Sequence, residues 1–447
     1  MINLSPEIVT LIMLVGVLIG VMTGYPLALV VGAITLIMGY TVFGNQVVDV
    51  IYTRLTGQIV NYIFLAVPMF VFMGVMLERS RIAERLYDSL YLWLGGLRGG
   101  LAITTVLVGT VMAACVGIIA ASCTMLALVA LPSMIKRGYD KSLAAGSVCA
   151  GGTLGILIPP SIMLIVYGPM AGISVGKLFF GAFMPGFILS ALYCGYIGIR
   201  CLLQPNIAPP VPVEERRVPF IKKTAMLVAS LVPPLILVMS VLGVIFFGIA
   251  PPTEAAGVGA FVATLLAIVY RRFNLQVLRE TSLETFKISG FILLIVSMAV
   301  SFSAVFIGAG CSEVVEEVIL DTPGGKWGAF AIIMFIIFLL GFVIDWTGIV
   351  FIMVPIITPI GAALGFDPVW FAIMICVNLQ MAFMTPPFAP AIFFVRGASP
   401  PELGIIMTDI IRGVIPFVIL IMIALSLCVA FPQIITWLPG QMLVGFR

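Results

Sequence analysis

The chain contains no histidine among its 447 residues. That removes the commonest general base, the usual proton shuttle and the commonest zinc ligand together. Charge is nearly as scarce: 22 Lys and Arg and 19 Asp and Glu make up 9% of the sequence, against roughly 25% in soluble domains. So few charges do not cover a water-facing surface of this size, which excludes a soluble globular enzyme. A formal net charge of +3, with no basic patch behind it, excludes a nucleic-acid binder. Phosphate-binding loops, paired catalytic carboxylates and a Ser/His/Asp set are also missing. The eight cysteines fall mostly inside apolar runs without paired spacing, and read as small packing residues rather than a disulfide or metal framework. The N-terminal string Met1-Ile-Asn-Leu-Ser-Pro-Glu7 lacks a basic n-region and a small-residue cleavage site, so the apolar run after it reads as a retained helix.

What the chain does have is apolar length: 62% hydrophobic residues, with 45 glycines and 29 prolines. Breaks in apolar helices are tolerated where they line protein cavities, so this profile indicates a polytopic, all-α membrane protein. A helix needs about 20 apolar residues to cross a bilayer. The runs that qualify or nearly qualify are 8–23, 26–44, 60–78, 142–170, 178–200, 224–248, 254–270, 286–310, 368–396 and 405–432. Those at 142–170 and 368–396 are interrupted by Pro pairs. Two stretches, 100–134 and 328–363, are too long for one crossing and broken in the middle. Each reads as two half-length helices with a polar tip, a re-entrant hairpin.

Loop charge orients these elements. Arg79, Arg81, Arg85 and Arg98 precede the first hairpin, and Lys136, Arg137 and Lys141 follow it. Both loops are basic and therefore cytoplasmic, and they share a side only if 100–134 is re-entrant. Arg216, Arg217, Lys222, Lys223, Arg271 and Arg272 then also fall inside. The acidic loop with Glu313, Glu316, Glu317 and Asp321 falls outside, and the second hairpin enters from there. The segment 79–98, with its alternating charges and leucines, reads as an interfacial arm helix.

A single ungapped offset aligns Gly16 with Gly243, Gly138 with Gly365, Asp140 with Asp367, and Pro159-Pro160 with Pro386-Pro387. The matches fall at turns and breaks, and the two copies enter from opposite sides. The halves are accordingly 1–223 and 224–447, an inverted repeat, each with one hairpin and one Pro-Pro-broken transmembrane helix. Inverted repeats with discontinuous helices mark secondary transporters whose site lies at the breaks.

At the first break, Gly151-Gly-Thr-Leu-Gly155-Ile-Leu-Ile-Pro159-Pro160-Ser161, proline removes the donors for carbonyls one turn earlier. The second break is Asn378-Leu-Gln-Met-Ala-Phe-Met-Thr385-Pro386-Pro387. Either is a packed kink or a place where carbonyls meet a cation. The hairpin tips are Gly117-Ile-Ile-Ala-Ala-Ser122 and Ile344-Asp345-Trp-Thr347-Gly348. Asp345 stands in a long, largely uncharged stretch; it is either a helix cap or a functional intramembrane carboxylate. Oxygen-only ligation suits a hard cation such as Na⁺. Arg54 is either an interfacial residue with its head in the headgroups or a bidentate partner for a substrate carboxylate. Glu254 reads as a helix-start residue, with Thr253 as the cap.

The strings Leu154-Gly-Ile-Leu-Ile-Pro-Pro-Ser161, Lys136-Arg-Gly-Tyr-Asp140, Leu65-Ala-Val-Pro68, Pro252-Thr-Glu-Ala-Ala256 and Thr385-Pro-Pro387 resemble the large membrane subunit of the tripartite ATP-independent periplasmic (TRAP) transporters. The resemblance spans nearly the whole chain. It implies the ion-transporter fold, an elevator with a scaffold and a mobile domain carrying the hairpins, in a bacterial inner membrane. It also implies Na⁺-coupled import of an organic anion, with Na⁺ as the coupling ion and no other cofactor. The partners it implies are a periplasmic substrate-binding protein and a small four-helix membrane subunit, here a separate polypeptide. Carried over, one Na⁺ site falls at Gly117 and Ser122 with Gly155 in the 151–158 break. The other falls at Asp345, Thr347 and Gly348 with Thr385. Substrate contacts fall at Arg54, Ser122, Pro159 and Pro387. Two departures stand out: Ile118-Ile-Ala-Ala where many members have a Ser-rich tip, and Phe388-Ala389-Pro390 where many have a glycine. Sialic acid specificity therefore does not transfer.

Other classes fit less well. A stand-alone cation-coupled anion carrier of the same superfamily would need no binding protein. A channel is compatible with composition alone. An intramembrane enzyme would need a dyad or metal cluster that the sequence does not supply.

Overall fold

In the computed structural model, residues 4–212 and 214–442 are described, and the regular structure among them is helical. Residues 1–3, Val213, the side chain of Arg216 and residues 443–447 lie outside them. The helices are α1 Pro6–Met22, α2 Leu27–Phe43, α3 Val47–Ile59, α4 Ala66–Arg79, α5 Ile82–Leu94, α6 Gly100–Val116, α7 Ile119–Lys136, α8 Lys141–Thr153, α9 Ile162–Ala171 and α10 Val175–Leu203. They continue as α11 Phe220–Val238, α12 Val244–Phe246, α13 Pro252–Val269, α14 Leu275–Gly308, α15 Cys311–Leu320, α16 Gly325–Leu340, α17 Trp346–Ala363, α18 Pro368–Met384, α19 Pro390–Ala398, α20 Met407–Ala430 and α21 Gln433–Gly440. Among the described residues, nine helices are long and apolar enough to cross a membrane. Within hydrocarbon only a helix satisfies its own backbone, which is why runs this apolar all become helical.

Most of the expected runs appear as helices, with three corrections. The run 286–310 is part of a longer helix, α14, of 34 residues. Its first turns carry Arg279, Glu280, Glu284 and Lys287, which an apolar window rejects. Arg79 pairs there with Glu280 and, at 3.1 Å, with Glu284. The span read as starting at residue 60 is preceded by a further helix, α3, joined to α2 through a 3₁₀ turn at Gly44–Gln46. Thr253 does not cap α13: Pro251 is the N-cap, Pro252 opens the helix and no side chain caps it, while Glu254 does sit in the first turn.

The basic loops gather at one end of the molecule. Arg85 lies over the Tyr270 ring at 4.5 Å. Arg137 meets Tyr91 and Glu215, whose carboxylate also accepts from the Tyr91 hydroxyl at 2.7 Å. The segment between α10 and α11 is tied to both ends of the α6–α7 pair, because the Gly99 amide donates to Ala208 O (3.1 Å) and the Asp140 amide to Ile207 O (2.8 Å). The pair α6–α7 thus begins and ends at the same face. At the opposite face, Lys326 at the start of α16 donates to Gly365 O just beyond α17, at 3.0 Å. The pair α16–α17 returns to its own starting face in the same way. Pro6 O accepts a weak bond from Cys311 Sγ (3.9 Å), which sets the start of α1 beside α15.

Equivalent positions adopt equivalent geometry. Asp140 and Asp367 are the N-caps of α8 and α18, accepting from Leu143 N (2.9 Å) and Trp370 N (2.8 Å). Gly138 and Gly365 both have positive φ, 77° and 70°. Pro159–Pro160 and Pro386–Pro387 are both cis. At the crossing of the two broken helices, the Gln380 side-chain amide donates to Thr153 O at 3.0 Å, and the two residues stand 227 apart, the repeat offset itself. The halves differ at α3–α4, which is interrupted around Asn61, where α14 runs on without a break.

Candidate functional site

Each helix pair presents its tip to a broken helix. Gly117 ends α6 with φ +66°, and a Cβ there would lie 3.3 Å from Pro160 O, so the turn needs glycine to seat the tip on the first break. Ile118 follows as the N-cap of α7 in extended backbone and offers no side-chain cap. Ser122, in the first turns of α7, is 1% exposed and its hydroxyl has no partner. It faces the break: a Cβ built on Gly155 would stand 3.4 Å from Ser122 Oγ. The break itself is partly satisfied from within. Pro160 cannot donate to Ile156 O, and the Ser161 hydroxyl takes that carbonyl instead.

The second tip is built differently at the matching position. Asp345 is the N-cap of α17; its Oδ2 accepts from the Thr347 hydroxyl at 2.8 Å and from the Thr347 amide at 3.4 Å. The cap reading and the carboxylate reading are compatible, because the capping carboxylate also stands on the cavity wall. Gly348 is buried against Leu27 and Ile344. Thr385, at the end of α18, donates its hydroxyl to Met381 O at 2.7 Å, within its own helix.

Both tips and both breaks open onto one cavity of about 810 Å³. Gly117, Ile118, Asp345, Thr347 and Pro387 line it, with Ile156 and Ile162 flanking the first break. Its remaining wall comes from the α1–α2 turn and from Ile288 to Ile295 of α14. Of the sequence-derived residues, Ser122, Gly155 and Pro159 are buried behind this wall. Arg54 is not brought to it: it sits exposed on α3 and does not line the cavity. Among the described residues no group of three or more His, Cys, Asp and Glu forms a metal-binding cluster.

Several residues at the site escaped sequence reasoning. Gln380 is fully buried, bonds across to Thr153 O and leaves its Oε1 unpartnered. Asn378 donates to Met334 O at 2.7 Å, tying α18 to the first arm of its hairpin. Amides inside an apolar run were a usable signal, since buried polar groups in a membrane are expensive. The aromatic wall of Tyr25, Phe342 and Trp346 carried no such signal, because aromatics are common in every span; Phe388, which joins it, stood out only as a departure from the family pattern.

The YdaH transporter of Alcanivorax borkumensis has a similar fold, with a TM-score of 0.63 over 91% of this chain and 98% of that one at 14% identity. The chain is 29% identical over 410 residues to a C4-dicarboxylate TRAP transporter large permease protein of Pseudomonas aeruginosa, covering 92% of each. It is 27% identical over 429 residues to an ectoine TRAP transporter large permease protein of Halomonas elongata, covering 95% of this chain and 98% of that protein. It is also 27% identical to a sialic acid TRAP large permease protein of Vibrio cholerae, over 88% of this chain and 90% of that one. These relatives are transporter permeases, not enzymes, and the nine long apolar helices among the described residues make this chain a multi-pass membrane protein. The family profile for the tripartite ATP-independent periplasmic transporter, DctM component, matches residues 10–434, and the chain belongs to that family.

Proposed function

We propose that this chain is the translocating subunit of a Na⁺-coupled importer of an organic anion, in the inner membrane of a bacterium. A periplasmic binding protein delivers the anion and a small four-helix membrane subunit completes the complex. The observation that carries this reading is the convergence of two hairpin tips and two Pro-Pro breaks on one cavity that holds, among the described residues, a single carboxylate, Asp345. The Asp345 carboxylate with Thr347 and the second break, and the unpartnered Ser122 hydroxyl with the first break, offer oxygen ligands to Na⁺. The helix pairs then act as re-entrant hairpins, and the two halves as an inverted repeat.

The position of the cavity supports an inward-facing state of an elevator. Its α14 wall begins at Ile288, one turn or about 6 Å past Glu284 in the basic-loop cluster. From Ile295 to the far end of α14 at Gly308 is about 20 Å. In this reading α6–α9 and α16–α19 move past the remaining helices, and Arg54 meets the anion only in the outward state.

The test is uptake into proteoliposomes holding the chain, its small subunit and the binding protein. Accumulation requires inward Na⁺ and the binding protein. Equal uptake with K⁺ on both sides would remove the coupling, and equal uptake without the binding protein would leave a stand-alone carrier.

A further inference from the structure

Away from the hairpin tips, a second cavity of about 520 Å³ lies between α6, α10 and the α11–α12 pair. Phe180, Phe183 and Phe187 of α10 form one wall, and Leu235, Val238 and Leu242 the other. The α11 side carries a π-helical turn at Met239–Gly243, a feature that often marks functional positions in helices. One hydroxyl lines the space, that of Thr110, and it is already bonded to Val106 O at 2.8 Å and to the Ser190 hydroxyl at 2.6 Å. Water or a polar solute would find no partner there. Phe187, Leu235 and Met239 are exposed, so the slot opens sideways, which in a membrane-embedded chain means towards hydrocarbon.

The slot continues into a third cavity of about 530 Å³. Phe246, Phe247 and Leu438 line the slot, and their chain neighbours Ile245, Gly248 and Pro439 line the space beyond. This space is polar at its mouth, with Tyr62, Ser174, Lys177 and Thr253, and among the described residues no Asp or Glu lines it. Lys177 is exposed there and forms no ion pair among the described residues. It stands in the first turn of α10, whose far end at Leu203 leads into the basic-loop face. From Lys177 to Phe187 is about 15 Å along the helix, half of a hydrocarbon core about 30 Å thick. A cation at the membrane surface above an apolar slot one leaflet deep matches a lipid in both charge and length. About 520 Å³ spread over about 15 Å leaves a slot roughly 7 Å across, too narrow for a helix of about 10–12 Å diameter but wide enough for acyl chains.

We propose that these two joined cavities bind an anionic glycerophospholipid of the leaflet facing away from the basic loops. Its phosphate sits at Lys177 and an acyl chain fills the slot between α10 and α11–α12. Such a site needs only a chain embedded in a bilayer and is independent of what the chain transports.

The test is photolabelling of the purified full-length chain in detergent, with a trace of phosphatidylglycerol carrying a diazirine midway along one acyl chain. Peptide mass spectrometry then locates the label, which should concentrate on residues 180–187 of α10 and 231–242 of α11. Lys177→Gln changes an exposed side chain and should reduce that label about fivefold, the weight of one basic residue against an anionic lipid. Lys177→Arg should restore it. A phosphatidylethanolamine analogue with the same diazirine should label more weakly, because no carboxylate at the mouth takes its ammonium. Label spread evenly over the lipid-facing helices overturns the proposal, as does unchanged label in Lys177→Gln or equal labelling by the ethanolamine analogue. Loss of the label on adding the small membrane subunit would give the slot to that subunit and overturn it too.

Discussion

Replacing Asp345 by Asn separates its two roles. Asn and Asp are comparable N-caps, so the bonds from Thr347 survive and the α17 start stays formed. What disappears is one unit of negative charge at the proposed Na⁺ site. Two unit charges 4 Å apart interact by about 4 kcal/mol at an effective dielectric of 20, and part of that is offset by the cost of desolvating the carboxylate. A net loss of about 2.7 kcal/mol corresponds to about a hundredfold weaker Na⁺ binding. The assay is thermal unfolding of the purified complex titrated with NaCl, with KCl holding ionic strength constant. At a Na⁺ concentration 100 times the dissociation constant, the ion stabilises the native state by about 2.7 kcal/mol. In Asp345→Asn the same concentration only equals the dissociation constant, and the stabilisation falls to about 0.4 kcal/mol. Unfolding in K⁺ alone should change little, whereas Asp345→Ala should also lose the cap, about 1 kcal/mol. A full Na⁺ response in the Asn variant would refute the assignment of this carboxylate to the ion.

Three further outcomes follow from the geometry. Ser122→Ala removes a buried hydroxyl that has no partner, so stability in K⁺ should hold or rise while the Na⁺-dependent gain shrinks; a loss of stability in K⁺ would mean the hydroxyl has a structural partner. Gly117→Val forces a β-branched residue into φ +66° against Pro160 O; about 1–3 kcal/mol of strain should lower the unfolding midpoint and abolish uptake. Hydrogen bonding from Tyr91, and then from Arg137, holds the Glu215 carboxyl below its ordinary range. A depressed pKa stabilises the folded form above the ordinary carboxylate value of about 4.3, and that contribution is lost as pH falls through the depressed value. Amide exchange at Gly99 and Asp140, which bond to the same segment, should accelerate on acidification and in Glu215→Gln. Unchanged protection in both would detach Glu215 from the anchoring of the segment between α10 and α11.

Much of the fold is legible because its punctuation is chemical. Asp140 and Asp367, Gly138 and Gly365, and the two Pro pairs are residues with few roles available to them, and all take equivalent conformations in the two halves. The long amphipathic start of α14 was missed for the opposite reason: its charged residues look like loop until Arg79 arrives from α4 to pair with Glu280 and Glu284. At the site, Asp345 was visible as a lone acid. Gln380 was visible as a string member without a role, because its partner Thr153 O lies a whole repeat away.

The sequence by itself determined that the chain is helical and membrane-embedded, where its helices break and which loops share a face. Scarce charge, proline and glycine act locally, through solvation and backbone sterics, and need no partner to do so. Only the tertiary structure decided that both tips and both breaks share one cavity, that Arg54 stands apart from it in this state, and that its wall is aromatic with a single carboxylate among the described residues. Those are properties of packing between segments far apart in the chain, where an apolar side chain facing lipid and one facing cargo are the same letter.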